Sequence, residues 1–513
     1  MTVVAFWPCL NNQFVNWDDP QFVVGNPLIR EINLPKIVSS IEGGSYQPLT
    51  VLSWSLDYAV AGLKPFVYHA HSVLLHVANV VLVFWLVSLL SGQWLIAFWT
   101  ALLFGIHPMH VESVAWVTER KDVLYTLFYL AGLISYVYHL RAKSWCWLLS
   151  VVFLLLALLS KMQAATFPVT LLLIHWFEHK PLRFKTQWPF WLMAGLFFAL
   201  GCYLASLSKA LVLPQVWDDK IYGALFSVTL YIAKLIYPWS LSALYPHPQG
   251  SLGVWVYALI FVLAALVYGL WRLRQSSKIF LFAILFFMIH VALTLPVVTF
   301  GQSFNADRYM YLASIGFFWP LGYLLLRWRW LAVVYVALLM LIAYQRCPVW
   351  HDGNSLWSDV IKKFPQMSEG YLYRGQYFET QGDMPKAFEN YDQCLKVNPQ
   401  DSRCYLNRGN MYQVVGMSTQ AIADYTHALD LGNKELGIYV NRANAYAHVG
   451  QNELAEMDYG KAIAANPYFA TAYYNRALTR HKSGDSAGAQ ADCAKARHLG
   501  LQALECPSYE PRH

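Results

Sequence analysis

Charge is what this sequence has least of. Only 13% of its 513 residues are Asp, Glu, Lys or Arg, against ~25% in ordinary soluble domains, and 57% are hydrophobic. That balance excludes a chain dissolved in water along its whole length. Zinc-binding patterns are also missing. The eight cysteines form no CxxC pair and no Cys/His finger spacing, and no HExxH occurs. No Lys/Arg stripe with interleaved aromatics is present, which excludes nucleic acid as a partner. A cleavable signal peptide is lacking too. Met1-Thr-Val-Val-Ala-Phe-Trp-Pro-Cys-Leu10 is too short to cross ~30 Å of hydrocarbon and reads as the last half of a first span. Cys394 with Cys404, and Cys493 with Cys506, are placed for disulfides in an oxidising compartment; free buried thiols are the expected state.

What is present divides in two. Residues 66–345 are nearly continuous apolar segments with Trp and Tyr near their ends, whereas 350–513 have the charge content of a soluble domain. The segments read as spans over 66–90, 93–106, 122–140, 145–159, 163–178, 188–207, 252–271, 279–299, 311–326 and 329–345. The net charge of +7 gathers in short loops: Arg141 to Lys143, Lys180 to Lys185, Arg272 to Lys278, and Arg327 with Arg329. Placing these in the cytoplasm, as the positive-inside rule asks, puts 11–65, 107–121, 160–162, 208–251, 300–310 and everything after 346 on the other side. Residues 221–245 are apolar but interrupted by Lys234 and Pro238, which favours an interfacial or re-entrant helix over a further span.

The tail repeats. Gly382, Gly416, Gly450 and Gly484 stand 34 residues apart, as do Arg374, Arg408, Arg442 and Arg476. Ala387, Ala421, Ala455 and Ala489 keep the same step, and so do Asn407, Asn441 and Asn475. That period, with small residues at the helix crossing, is the tetratricopeptide-repeat pattern. Each Gly closes the first helix of a pair, where positive φ is needed, and Asn-Pro at 398–399 and 466–467 ends the second. The expected fold is therefore all-α. A polytopic helical membrane domain covers 1–346, and a solenoid of about four repeats covers 347–513. The Arg and Asn ladders fit two uses, hydrogen bonds to an extended peptide in the concave groove or packing within each repeat.

Charged groups next to lipid mark function by default, and the candidates all fall in the non-cytoplasmic loops. Asp18 and Asp19 are adjacent and cannot both aim at one atom, so one serves as a base while the other positions, or the pair caps a helix started by Pro20. His107, His110 and Glu112 cluster around Pro108, whose break of the helix favours a hydrogen-bonded interfacial group over a metal site. Arg120, Lys161 and Arg308 either reach separately to headgroups or converge on a phosphate. Asp307 and Tyr309 flank Arg308 at the mouth of a span, as binding or structural groups.

Phe14-Val-Asn-Trp-Asp-Asp19, the run from His107 to Asp122, Ala306-Asp-Arg-Tyr-Met-Tyr-Leu-Ala-Ser-Ile-Gly316 and the repeat tail occur in one order. Together they resemble the transmembrane and tetratricopeptide-repeat O-mannosyltransferases, in particular bacterial relatives. The resemblance implies a GT-C glycosyltransferase with a polyprenyl-phosphate sugar as donor, mannose by the family's habit. It makes Asp18 the base in the first non-cytoplasmic loop, with Asp19 its neighbour. Lys161 falls where relatives carry Lys-Pro-Met; here the order is Lys161-Met-Gln, without the proline.

The implied reaction is an inverting displacement. Asp18 takes the proton of a protein Ser or Thr hydroxyl, and Lys161, Arg308 and Arg120 stabilise the departing polyprenyl phosphate, with no metal or other cofactor. The expected partners are membrane lipid, the lipid-linked sugar and an acceptor protein held by the repeats. The expected setting is a bacterial inner membrane with the repeats in the periplasm. A lipid or polysaccharide acceptor, or a non-catalytic anchored scaffold, are the competing readings.

Overall fold

The computed structural model describes residues 1–207, 211–212, 217–246, 278–295, 299–300 and 305–501; the expected span 252–271 and Cys506 lie outside them. The chain divides into two compact units, Met1–Lys363 and Phe364–His513.

The first unit is built around helix Pro65–Ser91, whose 27 residues are about 40 Å long at ~1.5 Å each. Helices Trp94–Ile106 and Arg120–Leu140 pack on it. Among the described residues five helices are long and apolar enough to cross a bilayer: Pro65–Ser91, Val117–Leu140, Phe184–Leu207, Asp307–Arg327 and Trp330–Trp350. Trp94–Ile106 with Pro108–Ala115, bent by 51°, makes a sixth. The bend falls at His107-Pro108, where proline lacks the N–H that a continuous helix needs. The expected spans 145–159, 163–178 and 279–299 are apolar helices as well (Cys146–Ser160, Met162–Phe177 and Lys278–Ala292), though only 10–17 residues long. The chain is a multi-pass membrane protein.

Residues 221–245 fall in helix Trp217–Ile236 and an irregular return. The buried Lys234 turns its ammonium back to the Ser240 carbonyl at 3.2 Å and to the Tyr245 hydroxyl. A two-residue antiparallel pair, Leu211–Val212 with Thr299–Phe300, joins the expected loop 208–251 to the junction between the expected span 279–299 and the loop that follows it.

The connecting loops form two layers. In one, Thr50 donates to the Ser160 carbonyl at 3.0 Å, the Trp54 indole donates to the Val117 carbonyl at 3.3 Å, and the Arg308 amide donates to Glu112 at 3.0 Å. In the other, Arg141 bonds Glu178 at 2.8 Å, the Trp147 indole donates to the Thr186 carbonyl at 3.0 Å, and Lys278 meets His179. These hydrogen bonds join loops assigned to the same side by charge. Between the layers, polar side chains tie helices together, as expected where lipid offers no alternative partner. His76 meets the Tyr311 hydroxyl at 2.7 Å, Asn79 donates to the Val123 carbonyl at 2.8 Å, and His110 meets Ser314 at 3.0 Å. Gly316 lets helix Met310–Arg327 lie directly on helix Lys278–Ala292, since a Cβ there would stand 2.7 Å from the Phe287 nitrogen.

The boundary between units falls at 363/364 rather than 346/347. Residues 347–363 belong to the first unit because the N-terminal loop holds them. Asn12 donates to the Cys347 carbonyl at 3.2 Å, the Gln13 amide to the His351 carbonyl at 2.7 Å, and the Trp357 indole to Asn16 at 3.0 Å.

Among the described residues the second unit has four helix pairs: Ser368–Thr380 with Met384–Val397, Ser402–Val414 with Ser418–Asp430, Leu436–His448 with Asn452–Ala465, and Ala470–Ser483 with Ser486–His498. Gly382, Gly416, Gly450 and Gly484 turn between partners at φ of 76, 79, 80 and 89°. Ala387, Ala421 and Ala455 are fully buried at the crossings. The arginine ladder is used inside the repeats. Arg408 donates to Asp424 at 2.8 Å, Arg442 to Asp458 at 2.6 Å and Arg476 to Asp492 at 2.7 Å, while Arg374 meets Asn390 at 2.8 Å. The asparagines link successive repeats instead, Asn441 donating to Asn410 and Asn475 to Asn444, both at 3.0 Å.

Cys394 and Cys404 are disulfide-bonded, their Cα atoms 6.3 Å apart, which corrects the expectation of free thiols there. The turn at Asn398-Pro399 folds the chain back so that the two residues meet across the first and second repeats. Cys9, Cys146 and Cys347 are buried free thiols. Closing so short a loop stabilises by about 2–3 kcal/mol. A Cys394→Ser, Cys404→Ser double variant is therefore expected to lower the unfolding free energy of the repeat unit by that much, measured by denaturant titration followed by circular dichroism under non-reducing conditions.

Candidate active site

The site lies in the loop layer that contains the first loop, residues 107–122 and the start of helix Met310–Arg327. Asp19 sets it up. One carboxylate oxygen accepts the Val15 amide at 2.9 Å, and the other accepts the Thr118 amide at 3.0 Å and its hydroxyl at 2.5 Å. The residue is 1% exposed, and burial pushes its pKa up to about 6 despite those bonds. Asp19 is a clasp joining the first loop to the segment after Trp116.

Asp18 differs. It is half-buried, and among the described residues no hydrogen bond or ion pair engages its carboxylate. Burial raises its pKa above the usual carboxylate value; Lys121 and Arg308 draw it down and Glu119 pushes it up. Those neighbours place Asp18 beside a buried ionic cluster with Glu119 at its centre. Glu119 lies 3.0 Å from Lys121, 3.5 Å from Lys161 and 3.5 Å from the Arg308 Nε. Lys161 also pairs closely with Asp122, which accepts from Ser113 at 2.9 Å. Arg308 also pairs closely with Glu112.

Local structure explains the convergence. Lys161 breaks the chain between helices Cys146–Ser160 and Phe167–Phe177 with extended backbone, φ −155°, and its side chain meets Asp122 at the head of helix Arg120–Leu140. Arg308 sits in a short turn that starts helix Met310–Arg327 and lies 5.5 Å over the Trp116 ring. Trp116 itself is stacked on Trp17 at 4.5 Å and on Trp350 at 5.4 Å, so aromatic packing fixes the floor beneath the guanidinium.

Lys161 and Arg308 therefore meet, with Asp18 within electrostatic reach of Arg308. Arg120 does not join them. It is fully buried and pairs with Asp57, donates to the Tyr68 carbonyl at 2.8 Å and to Ser72 at 3.3 Å, and leaves no donor face for a phosphate. The reason is helical phase: Glu119 and Asp122 are three apart and share a face, whereas Arg120 falls ~100° away. His107 and His110 are buried packing groups. His107 meets the Leu235 carbonyl at 3.2 Å, and His110 meets the Phe104 carbonyl at 2.8 Å as well as Ser314. Glu112 holds Arg308, and Asp307 accepts the Tyr245 hydroxyl at 2.7 Å. Tyr309 lines a small polar recess with Tyr125, Gln163, Thr166 and His290. Glu119, Lys121 and Asp122 stood in the charged run 119–122 of the sequence but carried no assigned role there.

The fold and site define a multi-pass membrane protein carrying a tetratricopeptide-repeat domain. The tetratricopeptide repeat family matches residues 436–469. The chain is similar to the Caenorhabditis elegans protein O-mannosyl-transferase F38B6.6, 23% identical over 451 residues that cover 78% of this chain and 62% of the relative. It is also similar to Homo sapiens protein O-mannosyl-transferase TMTC2, 39% identical over 110 residues, 20% of this chain and 13% of the relative. The matched part is thus less than two thirds of either relative's length. A crystal structure of MamA aligns with 29% of this chain and 88% of its own, at 21% identity and a TM-score of 0.28, too low to carry an argument.

Removing one partner of a buried ion pair costs about 3–5 kcal/mol, because the other charge is left alone. Arg120→Ala is therefore expected to lose the folded membrane unit, seen as a collapse of the monodisperse peak in detergent size exclusion. Arg120→Lys should recover it only in part, having fewer donors to share among Asp57, Tyr68 and Ser72.

Proposed function

We propose that this chain is a GT-C-type glycosyltransferase that moves mannose from a polyprenyl-phosphate donor to a Ser or Thr hydroxyl of a protein. The observation that carries the reading is Asp18, a carboxylate without a hydrogen bond or ion pair among the described residues, beside a partly buried cluster of Lys121, Lys161 and Arg308. The similarity to protein O-mannosyl-transferases along 78% of the chain supports the class of reaction.

In this reading Asp18 accepts the proton of the acceptor hydroxyl as its oxygen attacks the anomeric carbon from the face opposite the phosphate. The bond between the sugar and the phosphate oxygen breaks, the anomeric centre inverts, and polyprenyl phosphate leaves with an added negative charge. Lys161, Lys121 and Arg308 stabilise that charge in a site sheltered from water, where fixed cations act most strongly. The side chains supply the positive charge, so the proposed step uses no metal. The donor's tail lies among the membrane helices.

The repeats recruit the acceptor. With the arginines committed to Asp424, Asp458 and Asp492, the remaining side chains of the first helices offer the hydrogen bonds for an extended peptide. The disulfide between Cys394 and Cys404 supports placing the repeats on an oxidising side of the membrane. A bacterial inner membrane with the repeats in the periplasm meets that requirement.

Asp18→Asn is expected to lower transfer ~10²–10⁴-fold in a lipid-linked mannose assay with little change in donor binding; transfer at near the wild-type rate would remove Asp18 as the base. Since the base must be ionised, the wild-type rate should fall as pH drops through its pKa. Burial puts that limb above the ordinary carboxylate range near pH ~4. Arg308→Ala is expected to raise the donor KM and lower kcat together, read from initial rates at varied donor.

A further inference from the structure

The cluster has one member whose role the transferase reading leaves open. Lys121, Lys161 and Arg308 are three like charges gathered in a largely buried space, and the carboxylate that touches all three is Glu119. The other carboxylates are tied down. Asp122 accepts from Ser113 as well as Lys161, Glu112 accepts the Arg308 amide as well as its guanidinium, and Asp19 takes three donors. Glu119 is 3% exposed, yet its Oε2 has no hydrogen-bond donor and only Lys161, 3.5 Å away, attends it. Lys121, in turn, has Glu119 as its sole ion-pair partner among the described residues, and its side chain is 18% exposed. A carboxylate shared among three cations, with Lys121 on one oxygen and no hydrogen-bond donor on the other among the described residues, is the one that can move.

Resting on the transferase reading, we propose that Glu119 is a built-in stand-in for the donor phosphate. It draws Lys121, Lys161 and Arg308 together before the donor arrives, and it yields them to the lipid-linked phosphate, which carries the same sign of charge and also presents oxygens. No bond is made or broken in this exchange. Once the sugar has left, Glu119 competes with polyprenyl phosphate for the same cations and helps to expel it. Glu119 is thus a positioning and release residue, and its charge weakens phosphate binding in exchange for turnover.

The test uses the full chain in detergent with geranylgeranyl phosphate as a short polyprenyl-phosphate probe. Glu119→Gln removes the competing charge and keeps the shape. At a separation of a few ångströms near a protein surface, that is expected to tighten the probe roughly ten-fold or more. The donor KM should fall with it, and kcat should fall as well because the product is retained. A purely structural role would weaken binding and raise KM. Unchanged or weaker probe binding by a Glu119→Gln protein with a wild-type melting profile overturns the proposal. Should that variant not fold, Lys121→Gln answers in its place: its partly exposed side chain is tied only to Glu119, and probe binding is expected to weaken several-fold. Unchanged binding overturns the idea by that route. The two readings fail separately. A wild-type chain that transfers no mannose while Glu119→Gln still tightens the probe sinks the transferase assignment alone. Normal transfer with no tightening sinks only the stand-in.

Discussion

Among the described residues, most buried cations at the edge of the bilayer are met by a carboxylate, Lys234 with the Ser240 carbonyl and the Tyr245 hydroxyl being the exception, and that pairing organises the membrane unit. Arg120 has Asp57, Arg308 has Glu112, Lys161 has Asp122, and Arg346 has Asp359. The first three pairs join segments that are distant in the chain, so pairing of charge is also the closure of the fold. Isolated ions would be expelled or neutralised. Helix Cys146–Ser160 ends where Lys161 turns extended and pairs with Asp122.

The repeats were legible to the residue because a 34-residue period repeats the same contact four times. Gly382 and its successors had to take positive φ, and they do. What the period could not reveal was where the arginines point. A ladder reads the same whether it faces a groove or the second helix of its own repeat. The aspartates at 424, 458 and 492, which stand sixteen residues after each arginine, decide it. The disulfide was misread for a related reason, since burial favours a thiol and a disulfide alike until the turn at Asn398-Pro399 is seen to bring Cys394 and Cys404 together.

In the membrane unit, hydropathy located apolar helices but not their lengths. Expected segments 145–159 and 163–178 became helices too short to satisfy a simple span criterion, and the first loop captured residues 347–363. Those contacts are between backbone carbonyls and scattered Asn and Trp side chains, which leave no periodic trace. The site was legible in its motifs and not in its sorting. Lys161 and Arg308 came together, whereas Arg120, one residue from the hub of the cluster, turned to Asp57. Helical phase separates the two outcomes, and it was readable from the spacing of Glu119 and Asp122.

Asp18 and Asp19 make the same point at the smallest scale. Neighbouring residues diverge, so one backbone cannot give both carboxylates the same surroundings. Asp19 receives the three donors of Val15 and Thr118 and becomes immobile. Asp18 is thereby fixed in position by its neighbour while its own oxygens stay without hydrogen bonds among the described residues. A base needs both properties, a defined place and free lone pairs, and a single carboxylate cannot have them when its place is set by hydrogen bonds to its own oxygens. The pair separates them: Asp19 holds the loop, and Asp18 keeps its oxygens unengaged among the described residues, as the proposed base requires.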